Sequence, residues 1–206
     1  PFAEEVGSGL HIHISLLNEK EENIFSCDSG NPPPATSQNL KHAIGGLQAS
    51  MAESMAIFAP NANSYRRFTP GAYAPVNTAW GHNHRAVSLR IPPSNNVNTR
   101  IEHRSAGADA NPYLVMTSIL AGIHHGITNQ LLPDDMIHSG ENYDPPTGQL
   151  PCTWDKALSS LERNTILKNY FPKNYLDYFL IVKHSEYNRF QREVSDRDYA
   201  WYLNLA

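Results

Sequence analysis

Cysteine is almost missing from this 206-residue chain: only Cys27 and Cys152 occur, far apart. That excludes a disulfide framework and reads as two reduced thiols in a reducing compartment such as the cytoplasm. Long apolar runs are missing too. No stretch reaches the ~20 residues that a membrane-spanning helix needs, so no membrane partner is expected. Nor is there a surplus of basic charge. Lys and Arg number 16 against 20 Asp and Glu, a formal charge of -4, which points away from a dedicated nucleic-acid surface. Charged residues make up only 17% of the chain and hydrophobic ones 40%, the balance of a folded globular protein. There is no initiating Met, no signal-like segment and no internal repeat. The chain opens at Pro1, almost inside a motif, and is expected to be a truncated piece of a longer protein. Its length suits one sizeable domain with a helical appendage.

What is present is organised around Ala72 to Asn111, and within it around Arg100-Ile101-Glu102-His103-Arg104. Side chains alternate faces along a strand. Arg100, Glu102 and Arg104 then share one face, and Ile101 and His103 take the other. A second alternating strand, Ala86 to Ile91, buries Val87, Leu89 and Ile91 and turns Arg90 outward, with Arg85 at its entrance. A surface ion-pair ladder is one reading of this charge pattern. A third strand points elsewhere. Leu10 to Leu16 has strict period two, with Leu10, Ile12, Ile14 and Leu16 toward a core and His11, His13 and Ser15 opposite. Two histidines two apart can reach one metal or one phosphate, or can simply be solvated.

The remainder frames these strands. Residues 18–35 read as a hairpin-like polar excursion ending in a Pro32-Pro33-Pro34 loop. Thr36 or Ser37 caps a helix to about Ala59, with a stripe of Leu40, Ile44, Leu47, Met51, Met55 and Phe58, stopped by Pro60. Gly45-Gly46 inside it predicts close packing. Pro60 to Pro75 is an ordered connector carrying Arg67. Asp109 or Asn111, with Pro112 first in the helix, starts a second helix to about Leu132. Its stripe takes Tyr113 or Leu114, Ile119 or Leu120, Ile123, Ile127 and Leu131. His124 and His125 on it read as core or surface residues. Residues 133–152 hold a long loop. Thr153 caps a helix at 154–163, another spans 174–194, and Ser195 with Asp198 resembles a capping arrangement for a last helix, on which Tyr199, Tyr202 and Leu203 read as packing residues. The fold class is α+β: an antiparallel sheet from motifs in residues 1–132, backed by helices, then a helical segment at 153–206.

The non-core face therefore collects His11, His13, Ser15, Arg85, Arg90, Arg100, Glu102 and Arg104, with Arg67 from the connector. One His and one Glu suit Mg²⁺ or Mn²⁺ when further oxygens join them. Several guanidinium groups beside such an ion are what a transferring phosphoryl group needs. Arg serves better than Lys because its fork binds phosphate or carboxylate at two points. A hydrolase or oxygenase metal site built on His11, His13, His82 and His84 is the competing chemistry, but it has little use for five arginines.

Gly7-Ser8-Gly9-Leu10-His11-Ile12-His13-Ile14-Ser15 resembles the glutamine synthetase pattern N-G-S-G-x-H-x-H-x-S. Asn63 to Pro75 is similar to that family's N-S-Y-K-R-x-x-P-G-Y-E-A-P loop. Asn83-His84-Arg85 through Ile91-Pro92, Arg100 to Arg104, and Ala110-Asn111-Pro112-Tyr113-Leu114 resemble its N-R-x-x-x-x-R-I-P, R-I-E-x-R and A-N-P-Y-L segments. The order and most spacings agree over about residues 5–205, as in the C-terminal part of the family's catalytic domain. The resemblance implies that His11 and Glu102 hold a divalent ion. It implies that His13, Ser15, Arg90 and Arg100 contact ATP, and that Arg85 lies between ATP and the acyl group. Gly7, Arg67 and Arg104 would bind glutamate, with Arg104 and Arg85 the catalytic pair. The implied reaction phosphorylates the glutamate γ-carboxylate with ATP, and an amine then attacks the acyl phosphate.

Departures from the pattern carry information. The family's loop Glu, which helps take a proton from ammonium, falls on Tyr73. The Asn before the first Gly falls on Val6, and no Lys precedes Arg100. Tyr73 would then face the acceptor amine and favour an organic one, as in the γ-glutamylpolyamine (putrescine) synthetase branch. Pro1-Phe2-Ala3 and Pro70-Gly71-Ala72-Tyr73-Ala74-Pro75 are similar to that branch. Asn142 to Pro146 loosely resembles the family's adenylylation loop but is one residue short, so Tyr143 takes no regulatory role. The family's other metal carboxylates and its small β-grasp domain would lie before Pro1, so this chain alone is expected to be inactive. Family members form large ring homo-oligomers. The alternatives are an ordinary ammonia-using glutamine synthetase, or a member that lost catalysis and serves assembly or sensing.

Overall fold

The structure is a computed structural model that describes residues 5, 7–27, 36–68, 74–138 and 150–203. Strands β1 (Ile12–Ile14), β2 (Trp80–His82), β3 (Leu89–Ile91) and β4 (Ile101–His103) form a four-stranded sheet in the order β1-β4-β3-β2. The predicted antiparallel pairing holds for β1 with β4 and for β3 with β4, whereas β2 lies parallel to β3. The cause lies in residues 83–88. Asn83 takes a left-handed φ of 52°, and the chain loops round to restart beside β2. The amide of Asn77 then takes up two of the loop's backbone groups: its Nδ2 donates to Ala86 O at 3.0 Å, and its Oδ1 accepts from Ser88 N at 3.3 Å as well as from Ala79 N, just before β2, at 3.1 Å. With those groups satisfied from the side, the loop needs no ladder. The strand predicted from Ala86 therefore starts only at Leu89. Val87 is still buried, and so is Ser88, whose hydroxyl donates to Asn77 O.

Register makes the alternation concrete. Ile12 opposes His103, His13 opposes Glu102, Ile14 opposes Ile101, and Arg90 opposes Glu102. One face carries Ile12, Ile14, Leu89, Ile91, Ile101 and His103, and it packs on the core. The other carries His13, Glu102 and Arg90 in one row across three strands.

The helices back the apolar face. In α1 (Gln38–Phe58), Ser37 Oγ accepts from Leu40 N at 3.1 Å, and the predicted stripe from Leu40 to Phe58 is buried throughout. In α2 (Pro112–Thr128), Asn111 Oδ1 accepts from Tyr113 N and Leu114 N. This helix stops before the predicted Leu132. Gln130 adopts a φ of 51° and Leu131 N donates to Gly126 O at 3.0 Å, a left-handed helix stop. Its buried stripe is Val115, Ser118, Ile119, Gly122, Ile123 and Gly126, while Tyr113 and Leu120 are exposed. Small residues set that face because the backbones of α1 and α2 touch. A Cβ on Gly46 would overlap Gly122 O and the backbone of Gly126.

The C-terminal segment is helical as predicted, with α3 (Trp154–Glu162), α4 (Tyr175–Arg192) and α5 (Asp196–Tyr202). Thr153 precedes α3 without a side-chain capping bond, whereas Ser195 and Asp198 do form a capping box. Tyr199, Tyr202 and Leu203 are exposed, contrary to the packing role expected of them. Aromatic content signals a surface to be covered, not which surface covers it, and α5 buries no residue. No helix among the described residues is long and apolar enough to cross a membrane.

One carboxylate ties the first helix to this segment. Glu53 of α1 accepts from Thr165 N at 2.7 Å, Thr165 Oγ1 at 2.9 Å, Ile166 N at 3.1 Å and Leu167 N at 3.2 Å. It thereby serves the open amides of the 3-10 turn Leu167–Asn169. Glu53→Ala is expected to lower stability by about 2 kcal/mol, read as a lower urea midpoint at constant slope. A wild-type midpoint would mean that water replaces the carboxylate without loss.

Candidate active site

Glu102, at the centre of the sheet, organises the polar face. Its side chain is only 4% exposed. Oε2 accepts from Arg90 Nη1 at 2.6 Å, and Oε1 accepts from Arg104 Nη1 at 2.9 Å and lies 3.2 Å from His11 Nδ1. Burial sets this apart from the surface ladder considered above: exposed ion pairs contribute little, and a buried charge must be compensated. Burial alone would raise the Glu102 pKa. The hydrogen bond from Arg90 and the charge of Arg104 outweigh it, holding the carboxyl below its usual range. His11 moves down as well, through burial and then the charge of Arg104, against the pull of Glu102. Its imidazole is therefore neutral at physiological pH, the form that ligates metals.

Each arginine is fixed a second time. Arg104 Nη2 donates to Arg85 O at 3.1 Å, and Arg90 Nη2 donates to Asn83 Oδ1 at 2.7 Å. Arg100 Nε donates to His13 Nδ1 at 3.2 Å, and its Nη1 donates to Asn98 O at 3.1 Å. Arg67 ends a 3-10 turn, Ala62–Arg67, whose cap Asn61 accepts from Asn63 N and Ser64 N. Asp109 anchors that turn, accepting from Ser64 Oγ at 2.6 Å and Asn61 Nδ2 at 3.0 Å. Arg67 Nη2 then donates to Ser105 O at 2.6 Å, just after β4. Gly7 lies against it, since a Cβ there would sit 3.0 Å from Arg67 Cβ.

The chain is acidic overall, yet Arg90 and Arg104 both pair with one buried carboxylate, Arg100 lies beside His13, and Arg67 reaches the backbone just after β4. The Nε groups of Arg67, Arg90 and Arg104 are buried without an acceptor among the described residues. Unspent buried donors on a surplus of positive charge suit an anion. Next to them, Ser15 and Arg100 border a cleft with Asn23, Pro93, Asn95 and Val97.

The structure therefore brings together His11, Glu102, Arg90 and Arg104, places His13 beside Arg100, and sets Gly7 against Arg67. Arg85 contributes its carbonyl, with its side chain exposed. Tyr73, Val6 and Tyr143 lie outside the described residues. His82 and His84 are engaged elsewhere: His82 Nε2 lies 3.3 Å from Thr36 Oγ1, and His84 Nδ1 accepts from Ala86 N at 3.2 Å. Among the described residues no three His, Cys, Asp or Glu gather as a metal cluster, so the four-histidine reading has no geometry behind it. His11 and Glu102 do fit a partial ligand set for Mg²⁺ or Mn²⁺, with oxygens from a nucleotide or from elsewhere completing it. Each Glu102 oxygen carries one guanidinium bond and keeps a second lone pair with which it could meet a cation.

Asn83 and Asp109 were not legible as site residues. The one local signal for Asp109 was the Asn61-x-x-Ser64 cap, whose partner lies 45 residues away from Ser64. His103 sits on the core face as its alternation predicts, edge-on to Phe58 at 4.8 Å between ring centroids. Burial, and secondarily His11, lowers its pKa to about 3, so it is a neutral core residue.

Residues 1–202 match the family described as glutamine synthetase, catalytic domain. The chain is 40% identical over 206 residues to gamma-glutamylputrescine synthetase PuuA of Escherichia coli (strain K12), covering 100% of this chain and 43% of that one. It is 31% identical to the glutamate–isopropylamine ligase of a Pseudomonas species, over 100% of this chain and 45% of that one. It is also 31% identical to the glutamine synthetase of Thermus thermophilus, over 96% and 45%. A solved structure described as apo GmaS without ligand shares the fold with a TM-score of 0.84 at 25% identity, over 98% of this chain and 46% of that one. The chain thus spans less than half the length of these relatives.

Proposed function

This chain belongs to the glutamine synthetase catalytic-domain family, and on that premise we propose that its parent protein is an ATP-dependent ligase joining the γ-carboxylate of glutamate to an organic amine. The observation that carries the reading is the buried Glu102, held between Arg90 and Arg104 with neutral His11 at 3.2 Å. Arg90, Arg100, His13 and Ser15 bind the nucleotide, and Gly7, Arg67 and Arg104 bind glutamate. A Mg²⁺ or Mn²⁺ held by His11 and Glu102 would neutralise charge on the phosphate oxygens. A γ-carboxylate oxygen attacks the γ-phosphorus of ATP and ADP leaves. The arginines of this face, Arg85 included, stabilise the charge that spreads over the transferring group. The amine nitrogen then attacks the acyl carbon, loses a proton and expels inorganic phosphate.

Two points favour an organic acceptor. Identity is higher to PuuA, named for a glutamylputrescine product, than to the Thermus glutamine synthetase. Tyr73 also puts a neutral phenol where the family pattern has a carboxylate, and ammonium would lose its counter-charge there. The full-length protein, given ATP, Mg²⁺ and glutamate, is expected to release phosphate with putrescine or another organic amine and not with ammonium at equal concentration. The 206-residue chain alone is expected to release none. Equal rates with ammonium would make the protein an ammonia-using glutamine synthetase, with Tyr73 a tolerated change.

A further inference from the structure

We infer that Asn83 is a positioning residue for phosphoryl transfer, acting through Arg90; the inference rests on the ligase reading of this site. The Arg90 guanidinium is gripped from two sides. Nη1 donates to Glu102 Oε2 at 2.6 Å, Nη2 donates to Asn83 Oδ1 at 2.7 Å, and Nε is buried with no acceptor among the described residues. One anchor leaves a planar fork free to rotate about a single bond. Two anchors fix its plane, and with it the directions of the N–H groups that the fork still has to offer.

Asn83 can serve because its own backbone is fixed. Its φ of 52° is a left-handed conformation that Asn tolerates and most residues avoid. Its N–H donates to Ile91 O at 2.9 Å, so the anchor is tied to the strand that carries Arg90. The chemistry of the anchor also matters. A neutral amide oxygen orients the guanidinium without cancelling its charge. An Asp there would add a second negative charge beside Glu102 and weaken the attraction for phosphate. The same turn is held at a second point, where Arg85 O accepts from Arg104 Nη2. Both arginines paired to Glu102 therefore also hold the turn that presents Arg85.

The test uses the full-length protein with Asn83→Gly, Arg90→Lys and the double variant. Glycine keeps the left-handed backbone and removes only the amide, while lysine keeps the charge and loses the fork. Asn83→Gly is expected to weaken binding of ATP with Mg²⁺, measured by calorimetry, by roughly five- to tenfold. The KM for ATP should rise in parallel, with the KM for glutamate and the melting temperature unchanged. In the Arg90→Lys background it is expected to add no further loss, because both act through one contact. Wild-type ATP affinity in Asn83→Gly, additive losses in the double variant, or equal weakening of ATP and glutamate would each overturn the inference. ATP binding without turnover on any amine would overturn the ligase reading, and the calorimetric cycle would still decide the role of Asn83. A wild-type protein that binds no ATP would overturn both.

Discussion

Glu102→Gln is expected to lower kcat/KM of the full-length protein by at least about 10³-fold and its stability by about 3 kcal/mol. Glutamine keeps the shape and removes the charge. Arg90 and Arg104, both largely buried, would then face each other with a neutral amide between them, and the metal-type ligand set would lose its anionic member. The stability effect has a defined pH dependence. The folded-state pKa of Glu102 is below its ordinary value. Its contribution is therefore complete above the unfolded-state carboxylate pKa, including at neutral pH, and is lost as pH falls through the depressed folded value. Wild-type and variant urea midpoints should differ most at neutral pH and converge under strongly acidic conditions. A variant that matched the wild type at neutral pH would show the buried network to be energetically idle.

Gly46→Val is expected to prevent folding, and Gly46→Ala to cost about 3 kcal/mol. At this point α1 and α2 meet backbone to backbone, so an added Cβ overlaps Gly122 O and the Gly126 main chain rather than a side chain that could turn away. The strain would not stay local. Phe58, in the last turn of α1, packs on His103 beneath the sheet, one residue from Glu102. Circular dichroism and thermal melting of the variants would show the loss, and a wild-type melt of Gly46→Val would mean that the helices can separate at little cost. A Cβ at Gly7 would meet Arg67 Cβ at 3.0 Å, an atom whose place is set by the backbone, so substitution there should push on the 3-10 turn that carries Arg67 and weaken the site.

Alternation made the faces legible. Ile12, Ile14, Leu89, Ile91 and Ile101 went to the core, and His13, Arg90 and Glu102 to the site, because period two is a local property of the chain. The α1 stripe and the caps at Ser37, Asn111 and Ser195 were readable for the same reason. Period does not give a partner. The parallel seating of β2 depends on Asn77 reaching across to residues 86–88, and the Arg67 turn depends on Asp109, contacts that no local pattern encodes. Of the α2 stripe, Ile119 and Ile123 are buried and Leu114 and Ile127 pack on the core as periodicity predicts, but the glycines at 122 and 126, which make the closest contact with α1, carry no hydropathy signal. The exposed Tyr199, Tyr202 and Leu203 show the same limit from the other side, since an apolar residue marks a demand for cover and not its source. Glutamate as substrate came from family likeness, not from the geometry of the arginines, which by itself asks only for an anion.

The most direct test of the central claim is phosphate release from ATP by the full-length protein, with glutamate, a divalent cation and an organic amine each omitted in turn. Release that requires all of them is the expected result. ATP turnover indifferent to glutamate, or none under any combination, would contradict the assignment of this arginine-paired carboxylate to glutamate–amine ligation.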